Sequence, residues 1–210
     1  SIELLHTASL IHDDVVDEAK QRRGTASVNA VFDNRKSVLV GDYFLASALK
    51  ESVNTMNFEI VDMVAELGKN LAEGELNQHS LATEIIIDEK EYFKVIDKKT
   101  ASLMSACTRI GAISANGSRE MIGIFTELGR IFGICFQIKD DIFDYYKTDV
   151  GKPTGNDIRE GKITLPLIYA LKNAPSKVKD QMIEIIHNGD YTPENINKLL
   201  QFIDVFRCII

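Results

Sequence analysis

A chain of 210 residues with a 45% apolar share is long enough to bury a sizeable core as one domain. Its net charge of −7 argues against non-specific binding to nucleic acid, although divalent cations can invert the field at a local acidic site. Cys107, Cys135 and Cys208 form no CxxC pair, which excludes a disulfide framework and reads as reduced thiols in a cytoplasmic protein.

Nearly every segment reads as helix. Residues 1–18 put Leu5, Ser9, Asp13 and Asp17 on one stripe, and Ser1 opens onto this pattern with no cap ahead of it. Residues 20–34 are polar, contain Gly24, and read as a connection. Helices are expected near 35–55 and 57–80. Asp88 and Glu91 have capping-box-like spacing for a helix running to about 114. Asn116 or Ser118 begins a long helix to about 146. The stretch 147–157, KTDVGKPTGND, holds two glycines and a proline and reads as a loop. Shorter helices follow near 163–173, 176–187 and 193–204, the last opened by Thr192 as cap and Pro193 in the first helical position. Strand-period alternation never lasts more than a few residues. No secretory signal and no uninterrupted apolar run of bilayer length is present, so no transmembrane segment is expected. The chain closes on Arg207-Cys208-Ile209-Ile210 with no stop signal, and both ends are expected to be cuts within a longer protein.

Two aspartate-rich clusters carry the chemistry, Asp13-Asp14-Val15-Val16-Asp17 and Asp140-Asp141-Ile142-Phe143-Asp144. In each, the first and last aspartates stand four residues apart and stack on one helical face. Carboxylates beside a core are costly unless a cation pairs with them. Two such clusters suggest two helices facing each other across a cavity, with hard oxygen ligands suited to Mg²⁺ and phosphate. Taken alone, a DDxxD segment also fits a solvated helix end. Flanking residues favour the metal: Arg22-Arg23 after the first cluster can grip phosphate oxygens, and Gln137, Lys152 and Lys162 flank the second. Lys99-Thr100 sits mid-helix in an apolar context, where a lone lysine is more often surface.

In order along the chain, LLHTASLIHDDVVDEAKQRRG, SVLVGDYFLA, KTASL and FQIKDDIFDYYKTDVGKPTGNDIREGKITLP resemble the motifs of the trans-isoprenyl diphosphate synthases, the polyprenyl synthetase family. The resemblance covers essentially 1–210 as a single polyprenyl synthetase domain. It implies an all-α, single-domain helical bundle around a central cavity, of the isoprenoid synthase type. It implies a prenyltransferase that joins isopentenyl diphosphate to an allylic prenyl diphosphate. Asp13 and Asp17 would bind two Mg²⁺ ions with Asp14 in support; Asp140 would bind a third, with Asp141 and Asp144 nearby. Arg22, Lys99, Lys152 and Lys162 would hold diphosphate and Arg23 would help hold isopentenyl diphosphate. Oxygens of Lys99 and Thr100, with Gln137, would face the developing carbocation. The family's N-terminal basic element, part of the isopentenyl diphosphate site, has no counterpart here, nor do its last C-terminal helices.

By the same resemblance, in which short-chain enzymes tend to place an aromatic residue at one of the two positions upstream of Asp13 held here by Ala8 and Ser9, the small residues imply an open tunnel and a long-chain product in the octaprenyl or solanesyl range, the size of quinone side chains. Phe125, Phe132 and Phe136 are other candidates for a tunnel floor. The alternatives are a short-chain geranylgeranyl or farnesyl synthase and a non-catalytic subunit of a heteromeric synthase. A class I terpene cyclase is disfavoured because the second metal motif is also DDxxD. Val38, Val40, Phe44 and Leu45 cover more than one helix face, with Gly41, Ala46 and Ala48 permitting close approach. By resemblance this region forms a homodimer; a central helix of one bundle would show the same pattern. Peripheral membrane association for product release is also expected.

Overall fold

The computed structural model describes residues 1–84, 87–145 and 155–206. The described chain is all-α but for one small hairpin. Its elements are α1 (Ile2–Val16), β1 (Gln21–Arg22), β2 (Thr25–Ala26), α2 (Val28–Val31), α3 (Asn34–Val53), α4 (Phe58–Glu84), α5 (Glu89–Ile96), a π-helical turn (Asp97–Ala101), α6 (Ser102–Ser114), α7 (Arg119–Tyr145), α8 (Asn156–Arg159), α9 (Leu165–Asn173), α10 (Ser176–His187) and α11 (Pro193–Phe206).

Short polar side chains start several of these helices by accepting from otherwise unpartnered amides. Asp33 accepts from Lys36 N ahead of α3. Asn57 accepts from Glu59 N and Ile60 N ahead of α4. Asp88 takes Lys90 N and Glu91 N at 2.7 and 3.0 Å, as its capping spacing predicts. Of the two starts considered for the long helix, Ser118 serves, its hydroxyl accepting from Met121 N.

The described residues gather into two compact units, each built from two stretches of chain: Ser1–Glu73 with Lys98–Gly133, and Gly74–Asp97 with Ile134–Ile210. No single cut separates them, which is why no linker is visible in the sequence. In the first unit, Leu5, Ala48, Leu67 and Ala106 form the buried cluster that joins α1, α3, α4 and α6. Two glycines set its closest contacts. A Cβ on Gly41 would lie 2.2 Å from the His12 ring, and one on Gly133 would lie 2.6 Å from Ala101 Cα. In the second unit, Ile158, Leu167, Leu171, Leu199 and Ile203 form the main core around α8, α9 and α11, while Tyr92, Ile96 and Ile168 form a smaller cluster of α5 and α9.

Three features differ from the sequence expectation. The connection over 20–34 contains a β-hairpin and a one-turn helix; Arg23 and Gly24, both at positive φ, make its two-residue turn. Strands of two residues are too short to leave a periodic signal. The helix expected from Asp88 to about 114 is broken into α5, the π turn and α6. Finally, α7 is long and apolar enough to cross a membrane by length and composition. The charges Glu127 and Arg130 interrupt its apolar run and pair with each other at 3.3 Å.

Candidate functional site

In the first unit the site is built on the last turn of α1. Asp13 and Asp17, four residues apart, are both half-buried on one face. Asp14 is turned the other way and buried. Its Oδ1 accepts from Arg22 Nε at 2.8 Å, and its backbone carbonyl accepts from Asn29 Nδ2 at 3.1 Å. The Ser27 hydroxyl donates to Ala19 O at 2.7 Å. The hairpin is thus latched to the end of α1, with Arg22 fixed against Asp14 and Arg23 exposed at the turn. Upstream on α1, Ala8 is buried and Ser9 is half-buried, its hydroxyl donating to His6 O. His12 Nε2 lies 3.2 Å from Val38 O and 3.4 Å from Asp42 Oδ1, fixing the approach of α1 to α3.

Lys99 and Thr100, also of this unit, lie in the π turn and are half-buried. A π turn widens the helix by one residue and shifts the carbonyl register, and such turns often mark functional sites. Lys98 Nζ reaches Glu73 Oε2 of α4, and the Ser102 hydroxyl donates to Lys98 O, so the turn is held from both sides.

In the second unit the end of α7 shows the same division of labour as α1. Asp140 is exposed and Asp144 half-buried, one turn apart on one face. Asp141 is buried, accepting from the Tyr92 hydroxyl at 2.6 Å on Oδ2 and from Gln137 Nε2 at 2.7 Å on Oδ1. Asp144 Oδ2 accepts from Asp157 N at 2.9 Å and its carbonyl from Gly155 N at 2.7 Å, which ties α8 back to α7. Tyr145 and Thr164 share a hydroxyl–hydroxyl bond of 2.6 Å. Lys162 pairs with Glu160. Lys152 lies outside the described residues.

Packing carboxylates this closely raises their proton affinity. Burial pushes Asp141 up to about 6; the bonds from Tyr92 and Gln137 pull the other way, and the charges of Asp140 and Asp144 add to the rise. Burial likewise pushes Asp157 up to about 8, reinforced by Asp144 and Asp141 and opposed by Lys162. A divalent cation at this cluster would relieve that repulsion. Among the described residues no three His, Cys, Asp or Glu side chains converge on one ion position. The outward carboxylates come as pairs, which fits Mg²⁺: it keeps several waters and takes one or two carboxylates together with substrate phosphates.

Sequence reasoning did not single out His12, Asn29, Tyr92 or Asp157. For Tyr92 a signal existed: it shares the buried face of α5 with Val95 and Ile96, and a buried phenol needs a hydrogen-bond partner.

Residues 1–203 match the family model described as polyprenyl synthetase. An octaprenyl diphosphate synthase from Haemophilus influenzae is 38% identical over 190 residues, covering 90% of this chain and 58% of that protein. The structure of a geranylgeranyl pyrophosphate synthase from Bacteroides thetaiotaomicron is 46% identical with a TM-score of 0.83, over 97% of this chain and 64% of that one. A polyprenyl synthase from Caulobacter crescentus, complexed with calcium and isoprenyl diphosphate, superposes with a TM-score of 0.89 at 32% identity, over 97% of this chain and 63% of that one. The chain spans about half to six tenths of the length of the curated relatives it matches.

Proposed function

This chain belongs to the polyprenyl synthetase family, and from that membership we propose that it condenses isopentenyl diphosphate with an allylic prenyl diphosphate to give a long-chain all-trans polyprenyl diphosphate. The observation that carries the proposal is the matched design of the two clusters. Each stacks its outer aspartates on one helical face and buries its middle carboxylate in protein hydrogen bonds. Mg²⁺, three ions with diphosphate bound, would be held by Asp13 and Asp17 and by Asp140 with Asp144 nearby, and would supply charge stabilisation to the leaving diphosphate. Asp14 and Asp141 serve the same centres from behind.

The remaining roles fall to the chain's own groups. Arg22, oriented by Asp14, binds allylic diphosphate with Lys99, Lys152 and Lys162, and Arg23 helps bind isopentenyl diphosphate. These cations interact more strongly with the departing diphosphate than with the ester, so they lower the barrier as well as bind. The allylic carbon–oxygen bond breaks, the isopentenyl double bond attacks the allylic carbon, and a proton leaves to form the new trans double bond. Oxygens of Lys99 and Thr100 in the π turn, and the Gln137 amide, stabilise the cation between those steps. Apolar surroundings keep water from intercepting it.

The small side chain at half-buried Ser9 and the resemblance to an octaprenyl synthase favour a long product, whereas Ala8, expected to line the same tunnel, is packed inside the protein. A short-chain product is the second reading, favoured by the higher identity to a geranylgeranyl pyrophosphate synthase. We further propose a homodimer, a cytoplasmic location, peripheral membrane contact for product release, and a place in quinone side-chain synthesis. The test is turnover of the purified full-length protein with both diphosphates and Mg²⁺. Asp13→Ala and Asp140→Ala should each lower it by several orders of magnitude while melting stays near that of the parent, because each removes one of two repelling carboxylates. Near-parental turnover in either variant would sink the metal assignment, and an inactive parent would favour a non-catalytic subunit.

A further inference from the structure

We propose that Tyr92 is a positioning residue of the second aspartate cluster: its hydroxyl pins Asp141 inward, and so sets the outward aim of Asp140 and Asp144 and the direction of the Gln137 amide. The inference rests on the prenyl-transfer reading above and deepens it.

The ring of Tyr92 has little freedom. It is 4% exposed, packs with Ile96 and Ile168, and meets Phe93 edge-on at 5.4 Å between centroids. A phenylalanine would fill the same apolar space. What the hydroxyl adds is the 2.6 Å bond to Asp141 Oδ2, a bond between α5 and α7. The other carboxylate oxygen of Asp141 takes Gln137 Nε2 at 2.7 Å. Asp141 is therefore a bracket, with one oxygen on α5 and the other on the preceding turn of α7. On a helix, residue 141 points about 100° away from residue 140, while residues 140 and 144 share a face. Fixing the middle carboxylate against α5 fixes the rotation of this end of α7, and with it the face that carries Asp140 and Asp144. The same bond holds the amide of Gln137 in one orientation. Hydrogen bonds to a carboxylate are among the stronger and more directional ones, and losing one from a buried site leaves a charge without a donor.

The experiment compares Tyr92→Phe with the parent chain by steady-state kinetics over a Mg²⁺ series, by melting, and by calorimetric titration of inorganic diphosphate with Mg²⁺. The expected result is a fall in kcat of about tenfold to a hundredfold, a rise in the Mg²⁺ needed for half-maximal rate, and an unchanged KM for isopentenyl diphosphate. Affinity for Mg²⁺-diphosphate should fall with it. The double variant of Tyr92→Phe with Asp141→Leu should be no worse than the poorer single, since either change removes the same bond. Parental kcat and Mg²⁺ dependence in Tyr92→Phe, or losses that multiply in the double variant, would overturn the proposal. Should Tyr92→Phe fail to fold, Asp141→Asn and Asp141→Leu read the same bond by diphosphate titration. The asparagine keeps an acceptor for the tyrosine and should bind more tightly than the leucine; equal binding overturns the proposal. A parent chain that neither condenses nor binds Mg²⁺-diphosphate overturns the functional reading, and this inference with it. Binding in the parent with no change in Tyr92→Phe removes the inference alone.

Discussion

Asp141 and Asp157 hold protons that an unfolded chain would have released well below neutral pH. Burial is the main cause for both, and their folded values of about 6 and about 8 stand above the ordinary 3.8. Between roughly pH 4 and 8 the folded state therefore binds more protons than the unfolded one, so stability falls as pH rises through that window. Asp33, Glu73 and Glu194, pulled below their ordinary values by neighbouring lysines, act in the opposite sense at the acidic edge of that window. In EDTA, calorimetry should find a higher melting temperature at pH 5 than at pH 8, and Mg²⁺ with diphosphate should narrow the gap. A higher value at pH 8 without metal would mean that these carboxylates are ionised and compensated. Ser9 gives a second prediction at this scale. It lies four residues before Asp13, about 6 Å down α1. It is half-buried, whereas Ala8 is 2% exposed and has no room for a ring. Ser9→Phe should therefore block a tail running down this face and shift products towards about C15–C20 with first condensation retained, because only a longer tail meets the ring. Chromatography of the products checks this, and an unchanged distribution would place the tunnel along another face.

Among the helices, the contact of α7 with the π turn is the least forgiving. A Cβ on Gly133 would meet the backbone of Ala101, which cannot swing aside as a side chain can. Gly123, earlier in the same helix, has open space at that position. Gly133→Ala should cost about 1–3 kcal/mol through overpacking, while Gly123→Ala should gain up to about 1 kcal/mol from helix propensity. Denaturant titration of the pair checks both, and equal effects would show that α7 can slide on the π turn. This contact also marks where sequence reasoning stops. Amphipathic stripes and caps such as Asp88, Ser118 and Thr192 made the helices legible, because they are local and repeat with a helical period. The two DDxxD clusters were legible as chemistry for the same reason. The π turn was not, since one extra residue within a continuous apolar pattern leaves the composition unchanged. The inward turn of Asp14 and Asp141 was not legible either. It depends on Arg22, Asn29 and Tyr92, whose partnerships span 8, 15 and 49 residues. Gln137 stands three residues before Asp140 and four before Asp141, and it bonds Asp141, a choice that spacing alone does not make.

At the scale of the whole molecule, the first unit exposes many large apolar side chains, the basis for the dimer proposed above. The resemblance gave α3 a dimer contact, with an inner helix as the alternative, and its two faces differ in the structure. Gly41 lies against His12, and Leu45 and Ala48 join the buried cluster with Leu5 and Leu67. Val38, Leu39, Tyr43 and Val53 point outward, Leu39 at 63% and Tyr43 at 71% exposure. Val31 and Phe32 at the end of α2 are also exposed, as are Met56 and Phe58 beyond the end of α3. Monomers rarely leave so many large apolar side chains in water, and a second copy of the same face would cover them symmetrically. Sedimentation at micromolar concentration should find a dimer. The double change Leu39→Asp with Tyr43→Asp should shift it to monomer by placing four charges, two from each copy, in an apolar contact. Both positions are exposed, so the folded core should survive and melting should fall only by the share the dimer contributes. A dimer that persists unchanged in this variant would rule out the outer face of α3. The other exposed stripe, Ile124, Leu128, Ile131 and Phe132 on α7, would then be the next face to charge.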